Sequence, residues 1–334
     1  METKILSIDK NSLELAKSLL ESGELVAFPT ETVYGLGALA TDESAISKVY
    51  AVKGRPSDNP LIVHVHKDYD IEKLVKITNN YAKDIAKAFL PGPLTMVYQS
   101  RETVAKNLSC GLKTLALRVP SHQGAQEFLR FTNMPIAAPS ANISKHVSPV
   151  TAEHVFADFN GKIPLILQGG RSEGGIESTV LDVTGEVPVI LRKGLITAEM
   201  IKSVADDCVY ADELPNSNGE VRSPGMKYSH YCPNCKTALF KRDQVKDAIT
   251  LYDSSQKQNL RVGFLADEQM IPLLGNRNIL HFGKTDKQMA GNLYHLLRTA
   301  EQQFDLLISF EIVTDSELKL SVNNRFLKAF GKGK

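Results

Sequence analysis

The chain has 334 residues, with 39 Lys plus Arg against 38 Asp plus Glu, a formal balance of +1 that excludes a generally basic nucleic-acid coat or an acidic tail protein. At roughly 150 residues per domain this length calls for about two domains, and 43% hydrophobic residues can give each a core. No apolar run approaches the roughly 18 residues of a membrane span, and residues 1–10 lack a signal peptide's apolar centre, so a cytoplasmic protein without stable membrane association is expected.

The chain opens on a helix: Asn11 and Glu14 have capping-box spacing, Leu13, Ala16, Leu19 and Leu20 form one apolar stripe, and Gly23 can close it. A short buried strand follows at 25–28. After Pro29-Thr30-Glu31-Thr32 and a glycine-bearing turn, a second helix is predicted over 42–52, with Ala45, Ile46 and Val49 inward and Lys53-Gly54-Arg55-Pro56 at its end. Short β segments at 61–66, 115–119, 136–138, 165–167, 179–183 and 187–191 complete a first domain over 1–210. Their uneven spacing predicts an α/β domain with an open twisted sheet of antiparallel as well as parallel pairs. Residues 211–236 lose the apolar periodicity and read as a linker. Over 237–334 the pattern becomes regular: a helix near Val245, strands at 262–265 and 279–282, a helix with Met289, Leu293, Leu296, Leu297 and Ala300 on one face, and a strand at 306–310. That is a small doubly wound, Rossmann-like α/β domain.

Gly35-Leu36-Gly37-Ala38-Leu39-Ala40 fits a loose dinucleotide fingerprint, but six residues separate it from the preceding strand, so it is read as a turn; no P-loop sequence occurs. Four cysteines (Cys110, Cys208, Cys232, Cys235) are too few for a disulfide framework and suit a reducing compartment. Cys232 and Cys235 have metal-ligand spacing, yet only His230 lies near them and a structural zinc needs about four ligands, so they are read as a reduced pair.

Cations fall at element ends: Lys53 and Arg55 after a helix, Arg118 near a strand end, Arg192 and Lys193 after another. Loops at strand ends are where open α/β sheets assemble ligand sites, and guanidinium groups hold carboxylate or phosphate bidentately. Scattered surface charge is the ordinary account of any one of them. His64 and His66 alternate with Leu61, Val63 and Val65; a solvated sheet face accounts for that, while a ligand-facing His64 needs the 53–56 turn to fold over the same face. Ser140, Asn142 and Ser178 offer donors at strand ends or ordinary turns, and the glycine-rich stretch 169–175 either moves over a site or connects strands.

The stretch from Phe28 to Gly37, the Lys53-Gly54-Arg55-Pro56 turn leading into Asn59-Pro60-Leu61-Ile62-Val63-His64, and Ser140-Ala141-Asn142 together resemble the K-x-R and S-x-N signature of the YrdC-type threonylcarbamoyl-AMP synthases. The segment 223–231 and the α/β tail resemble that family's longer, two-domain branch. The resemblance implies synthesis of L-threonylcarbamoyl-adenylate and pyrophosphate from L-threonine, bicarbonate and ATP, with Mg2+ carried by ATP and no metal ligand assigned on the protein. It implies a downstream tRNA threonylcarbamoyl-transferase complex as partner, acting next to the anticodon; direct contact with tRNA does not follow from it. Residue by residue, it implies Thr32, His64, Arg118, Ala138 and Ser178 on the threonine side, and Arg55, Asn59, Thr114, Ser140, Ser148, Arg192 and Tyr228 on the ATP side. Lys53, Arg55, Ser140 and Asn142 would serve the chemistry, the two cations on developing phosphate charge, with no covalent nucleophile. Tyr228 and its neighbours would make the linker a lid. Two other roles fit such a fold: a double-stranded RNA or tRNA-binding module, which +1 net charge disfavours, and carbamoyl transfer through carbamoyl-adenylate, for which paired C-x-x-C segments are missing.

Overall fold

The computed structural model of the protein describes residues 2–213 and 231–331. They fall into two compact units, the first holding residues 2–144 and 149–213, the second Lys145–Ser148 and residues 231–331. Among the described residues no helix is long and apolar enough to cross a membrane. Most of the segment expected to form a lid, with Tyr228, lies outside the described residues.

In the first unit, β1 (Lys4–Ser7), β2 (Val26–Phe28), β3 (Gly35–Leu39), β4 (Ile62–His64), β5 (Val75–Lys76), β6 (Leu94–Ser100), β7 (Thr114–Arg118), β8 (Ile136–Ala137), β9 (Leu165–Gln168), β10 (Thr179–Asp182), β11 (Val189–Arg192) and β12 (Val209–Tyr210) form one sheet. Its order is β1-β9-β2-β3-β8-β4-β7-β6-β10-β11-β12, with β5 beside β6. Parallel pairs such as β4 with β7 are mixed with antiparallel ones such as β6 with β7, as the uneven spacing predicts. Leu115, Leu117, Val63, Leu94, Met96 and Leu181 share one core with Ile46 and Val49 of α2 (Glu43–Lys53), leaving the opposite face of the central strands for other work.

Local chemistry sets the helix ends. The first helix, α1 (Lys10–Glu21), starts two residues earlier than the Asn11/Glu14 spacing suggests: Asp9 accepts from the Ser12 amide at 2.8 Å and Ser12 Oγ accepts from the Asp9 amide at 3.0 Å, a reciprocal cap. Asp42 caps α2, which ends where Gly54 takes φ +60°, a left-handed position that glycine adopts without steric cost.

Sequence reading misses two strands that matter. One is β6, seven residues with five buried. The other is β3, the Gly35-Leu36-Gly37 stretch taken as a turn. It pairs with both β2 and β8, and a Cβ on Gly37 would sit 2.8 Å from Ile136 Cγ2 and 3.0 Å from the Val26 carbonyl. The glycine is there for close strand packing, not for a phosphate.

In the second unit, β13 (Lys236–Phe240), β14 (Val262–Ala266), β15 (Ile279–His281) and β16 (Leu306–Phe310) make a fully parallel sheet in the order β13-β16-β14-β15. Helices at Val245–Lys257, Asp286–Gln303 and Glu317–Ala329 accompany it, giving the small doubly wound domain the sequence predicts; β13 and the last helix are additions to that reading. Lys145–Ser148 joins this unit rather than the first: Arg298 Nη2 donates to the Val147 carbonyl at 2.5 Å, and His146 Nε2 lies 2.8 Å from Glu301 Oε2. All four cysteines are free thiols.

Candidate active site

A row of functional groups crosses the first unit's sheet in register. His64 on β4 lies opposite Arg118 on β7, Arg118 opposite Thr95 on β6, Thr95 opposite Val180 on β10, and Val180 opposite Arg192 on β11. Residues directly opposite one another present their side chains to the same face, here the one turned away from the main core. Ser178, just before β10, ties the far end together: its Oγ lies 2.8 Å from Thr95 Oγ1, and Arg192 donates to its carbonyl from Nε at 3.1 Å and Nη2 at 3.0 Å. Two residues back along the strands, Ile62, Ala116 and Val97 form an apolar cluster with Val180 and Leu191. Thr114 lies two residues beyond Ala116 on the same face, about 13 Å along the strand from Arg118 at about 3.3 Å per residue. The face is therefore polar at one end and apolar in the middle.

His64 is 4% exposed and His66 8%, so this is no solvated sheet face. The His64 ring meets Phe28 edge-on at 5.7 Å between centroids. Burial, reinforced by the Arg118 charge, pushes its pKa down to about 3 against the pull of the Ile62 and Ile136 carbonyls, leaving the imidazole neutral.

The signature loops close around this row. Lys53, 2% exposed, donates its amine to the carbonyls of Ser140 and Asn142, and its own carbonyl accepts from the Ser144 amide at 2.8 Å. Ser140 Oγ donates to Asn142 Oδ1 at 2.6 Å, and Ser140 bridges to Gly35. The Ala138 amide donates to the Ile62 carbonyl at 2.9 Å, which sets the strand before Ser140 against the row. Thr32 is fully buried, its Oγ1 3.0 Å from Thr30 Oγ1. The glycine-rich stretch 169–175 is pinned rather than free: Tyr34 Oη donates to the Gly170 carbonyl at 2.7 Å, Ser172 Oγ to Thr30 at 2.7 Å, and the Gly174 amide to Glu31 at 2.7 Å.

Arg55 donates from Nη2 to the carbonyls of Asn59 and Pro60 at 3.0 and 3.2 Å. Burial lowers its pKa, Tyr50 and Cys110 oppose that, and the positive charge of Arg192 lowers it further. The two guanidinium groups are thus close enough to repel. Orphaned polar atoms fall on two neighbouring pairs of residues, Arg55 with Asn59 and Arg118 with Glu31. Among the first unit's described residues, the buried side-chain atoms without an aligned hydrogen-bond partner are Glu31 Oε1 and Oε2, Arg55 Nε, Asn59 Nδ2 and Oδ1, Arg118 Nε and Nη2, and Asn107 Oδ1. Buried polar groups are normally satisfied, so these atoms single out a candidate ligand site. Of the threonine-side, ATP-side and chemical residues that the resemblance implies, Ser148 alone is described in the second unit, and Tyr228 lies outside the described residues.

The family model for Sua5, YciO and YrdC, described as Telomere recombination, matches residues 18–194, and the model for the threonylcarbamoyl-AMP synthase C-terminal domain matches residues 196–331. The chain belongs to the two-domain branch of the Sua5/YciO/YrdC family. Family relatives called threonylcarbamoyl-AMP synthase include that of Pyrococcus abyssi, 38% identical over 332 residues covering 97% of this chain and 95% of the relative, and that of Bacillus subtilis, 38% identical over 335 residues covering 98% and 96%. Among solved structures, P. abyssi Sua5 complexed with L-threonine superposes with a TM-score of 0.86 at 36% identity, covering 99% of this chain and 98% of that one. Escherichia coli YciO, at 20% identity and a TM-score of 0.54 over 60% of this chain and 99% of its own, shares the fold.

Two residues of the site escape the sequence reading. Thr95 could be found only by recognising β6, whose alternation of Thr95 and Val97 against Leu94, Met96 and Tyr98 is a strand signal. Glu31 stands inside the motif shared with the family but carries no evident partner until Arg118 is brought beside it, Nη2 to Oε1 at 2.9 Å.

Proposed function

We propose that this chain condenses L-threonine, bicarbonate and ATP into L-threonylcarbamoyl-adenylate and pyrophosphate, the activated precursor for threonylcarbamoylation of the tRNA adenosine next to the anticodon. The observation that carries the reading is the orphaned polar pair of Arg118 and Glu31 at the His64–Arg118–Thr95 row, in a chain with full-length similarity to threonylcarbamoyl-AMP synthases.

The chemistry asks for what this face offers. Threonine's amine adds to bicarbonate to give a carbamate, water leaving, and a carbamate oxygen then attacks the α-phosphorus as pyrophosphate departs. Three anionic partners have to be held together with little covalent help, which is a task for positioning and fixed positive charge. In this reading Arg118 takes the threonine carboxylate, while Thr32, Ser178 and the neutral His64 surround the rest of the amino acid and Ala138 limits its size. The apolar patch of Ile62, Ala116 and Val97, with Thr114 at its far edge, suits an adenine ring. Arg55 and Arg192, which repel one another in the absence of an anion, suit the phosphates, with Asn59 and Ser140 as further donors. Lys53 acts as the clamp that shapes the Ser140–Asn142 loop, so the direct contact with phosphate charge falls to the two arginines. In this reading magnesium enters on ATP as part of the substrate.

A partner enzyme has to accept the adenylate, since a mixed anhydride of this kind hydrolyses in water. Mass analysis of the products formed from ATP, magnesium, bicarbonate and threonine tests the reading: threonylcarbamoyl-adenylate should appear only when all are present. ATP-dependent formation of carbamoyl-adenylate without threonine would overturn it.

A further inference from the structure

Glu31 and Arg118 form a buried pair with an uncommon defect. Their charged groups touch at 2.9 Å and their side chains are 17% and 4% exposed. Yet neither oxygen of Glu31 accepts an aligned hydrogen bond, and Arg118 Nε and Nη2 donate none. A buried ion pair repays its desolvation only with good geometry and full hydrogen bonding, so this one is a poor resting state for both partners. The backbone around it is the opposite of loose. The Glu31 carbonyl is held by the Gly174 amide, and Thr30 Oγ1 bonds to the carbonyl of Val33 at 2.6 Å and accepts from the Thr32 and Val33 amides at 3.2 Å. A fixed backbone thus holds an unsatisfied carboxylate against an unsatisfied guanidinium.

An α-amino acid carries the two charges that would repair this: a carboxylate for Arg118 and an ammonium for Glu31. We propose that Glu31 is the ammonium anchor of the amino-acid site, standing in for the substrate carboxylate on Arg118 while the site is empty and turning to the substrate's ammonium when it fills. This rests on the reading of threonine as substrate and adds to it a specificity-determining residue. One imperfect buried pair becomes two charge-assisted ones, and an analogue with the carboxylate but no ammonium leaves Glu31 stranded. Selection for an α-amino group over an α-hydroxyl then follows from Glu31, while Arg118 recognises any carboxylate.

The test compares calorimetric binding of L-threonine with binding of 2,3-dihydroxybutanoate, which replaces the ammonium by a hydroxyl, in the full chain and in Glu31→Gln. The unaltered chain should prefer threonine, and Glu31→Gln should reduce that preference by about 10- to 100-fold, the equivalent of one charge-assisted hydrogen bond. A residue that merely orients Arg118 would weaken both ligands by the same factor and leave the preference intact, which would overturn the proposal. Glu31→Asp keeps the charge, so Arg118 is not left unpaired if the Gln variant folds poorly; its shorter reach should lower the preference to an intermediate value, and an unchanged preference counts against Glu31 equally. Failure of the unaltered chain to bind threonine at all would instead remove the substrate reading on which the proposal stands.

Discussion

His64 and Arg118 occupy directly opposed positions on the parallel pair β4 and β7, and the arginine's charge helps keep the buried imidazole neutral. A histidine in an unfolded chain takes up a proton near pH 6.5, whereas the folded His64 resists until about pH 3. Its contribution to stability is therefore fully present above pH 6.5 and is lost as pH falls from there towards 3, by about 1.4 kcal/mol per unit. Urea midpoints of the chain and of His64→Gln at pH 7, 6 and 5 isolate this effect, because the other titrating groups cancel in the difference. The stability gap should shift in favour of the variant as pH falls; a gap independent of pH would show the imidazole to be already protonated or exposed.

Lys53 donates to two carbonyls of the Ser140–Asn142 loop from a position 2% exposed. Lys53→Met keeps the apolar stem and deletes the amine, leaving the Asn142 carbonyl without that donor. At roughly 1.5–3 kcal/mol for each hydrogen bond to a charged group, losing the two should lower unfolding free energy by about 3–6 kcal/mol, with turnover falling as Ser140 and Asn142 shift. Denaturation and product formation measured together decide the point. Unchanged stability with abolished turnover would assign the amine to the ligand's charge instead.

The first unit's strands were legible in the sequence wherever an apolar run was bounded by Gly or Pro, as at 25–28 or 136–138. They were illegible where glycine serves packing, as in β3, or where residues alternate between two buried faces, as in β6. The cations stood out because each follows an element end, but what Lys53 and Arg55 do could not be read from spacing. One turns inward to carbonyls 87 and 89 residues away, the other lies against its own loop, and only the tertiary fold separates these roles. The histidine pair taught the same lesson: alternation gave the face, while the neighbours that cover it, Phe28 on His64 and Tyr69 on His66, could not be read from it.

Arg55 and Arg192 should trade stability for function. Each raises the cost of the other's charge, so Arg55→Gln is expected to leave thermal stability unchanged or improved while turnover drops about 10²–10³-fold, the usual scale for losing one preorganised donor to developing charge. Pyrophosphate should raise the melting temperature of the unaltered chain and raise that of Arg55→Gln less. Equal protection of the two would return Arg55 to a structural bond with the 59–60 carbonyls.

Hydroxyl recognition is expected to be the sharpest discrimination the site makes. Thr95 Oγ1 and Ser178 Oγ lie 2.8 Å apart at the polar end of the row, both fully or nearly fully buried, and Arg192 fixes the serine by donating to its Oγ at 3.1 Å. A pocket whose polar groups are buried rejects a substrate lacking the matching hydroxyl far more strongly than an apolar pocket rejects an added one, because the site's own groups are left unpaired. Valine, which replaces the threonine hydroxyl by a methyl group, should therefore show kcat/KM lower by about 10² or more. Thr95→Val removes one member of the hydroxyl pair while keeping its shape, and it should narrow the gap between threonine and valine chiefly by weakening threonine. The effect should fall on the amino-acid KM and spare that for ATP, since the apolar patch two residues along the strands is untouched. If Thr95→Val left the threonine-to-valine ratio as it was, the hydroxyl would have to be read elsewhere, with Thr32 and its 3.0 Å neighbour Thr30 the next pair to test.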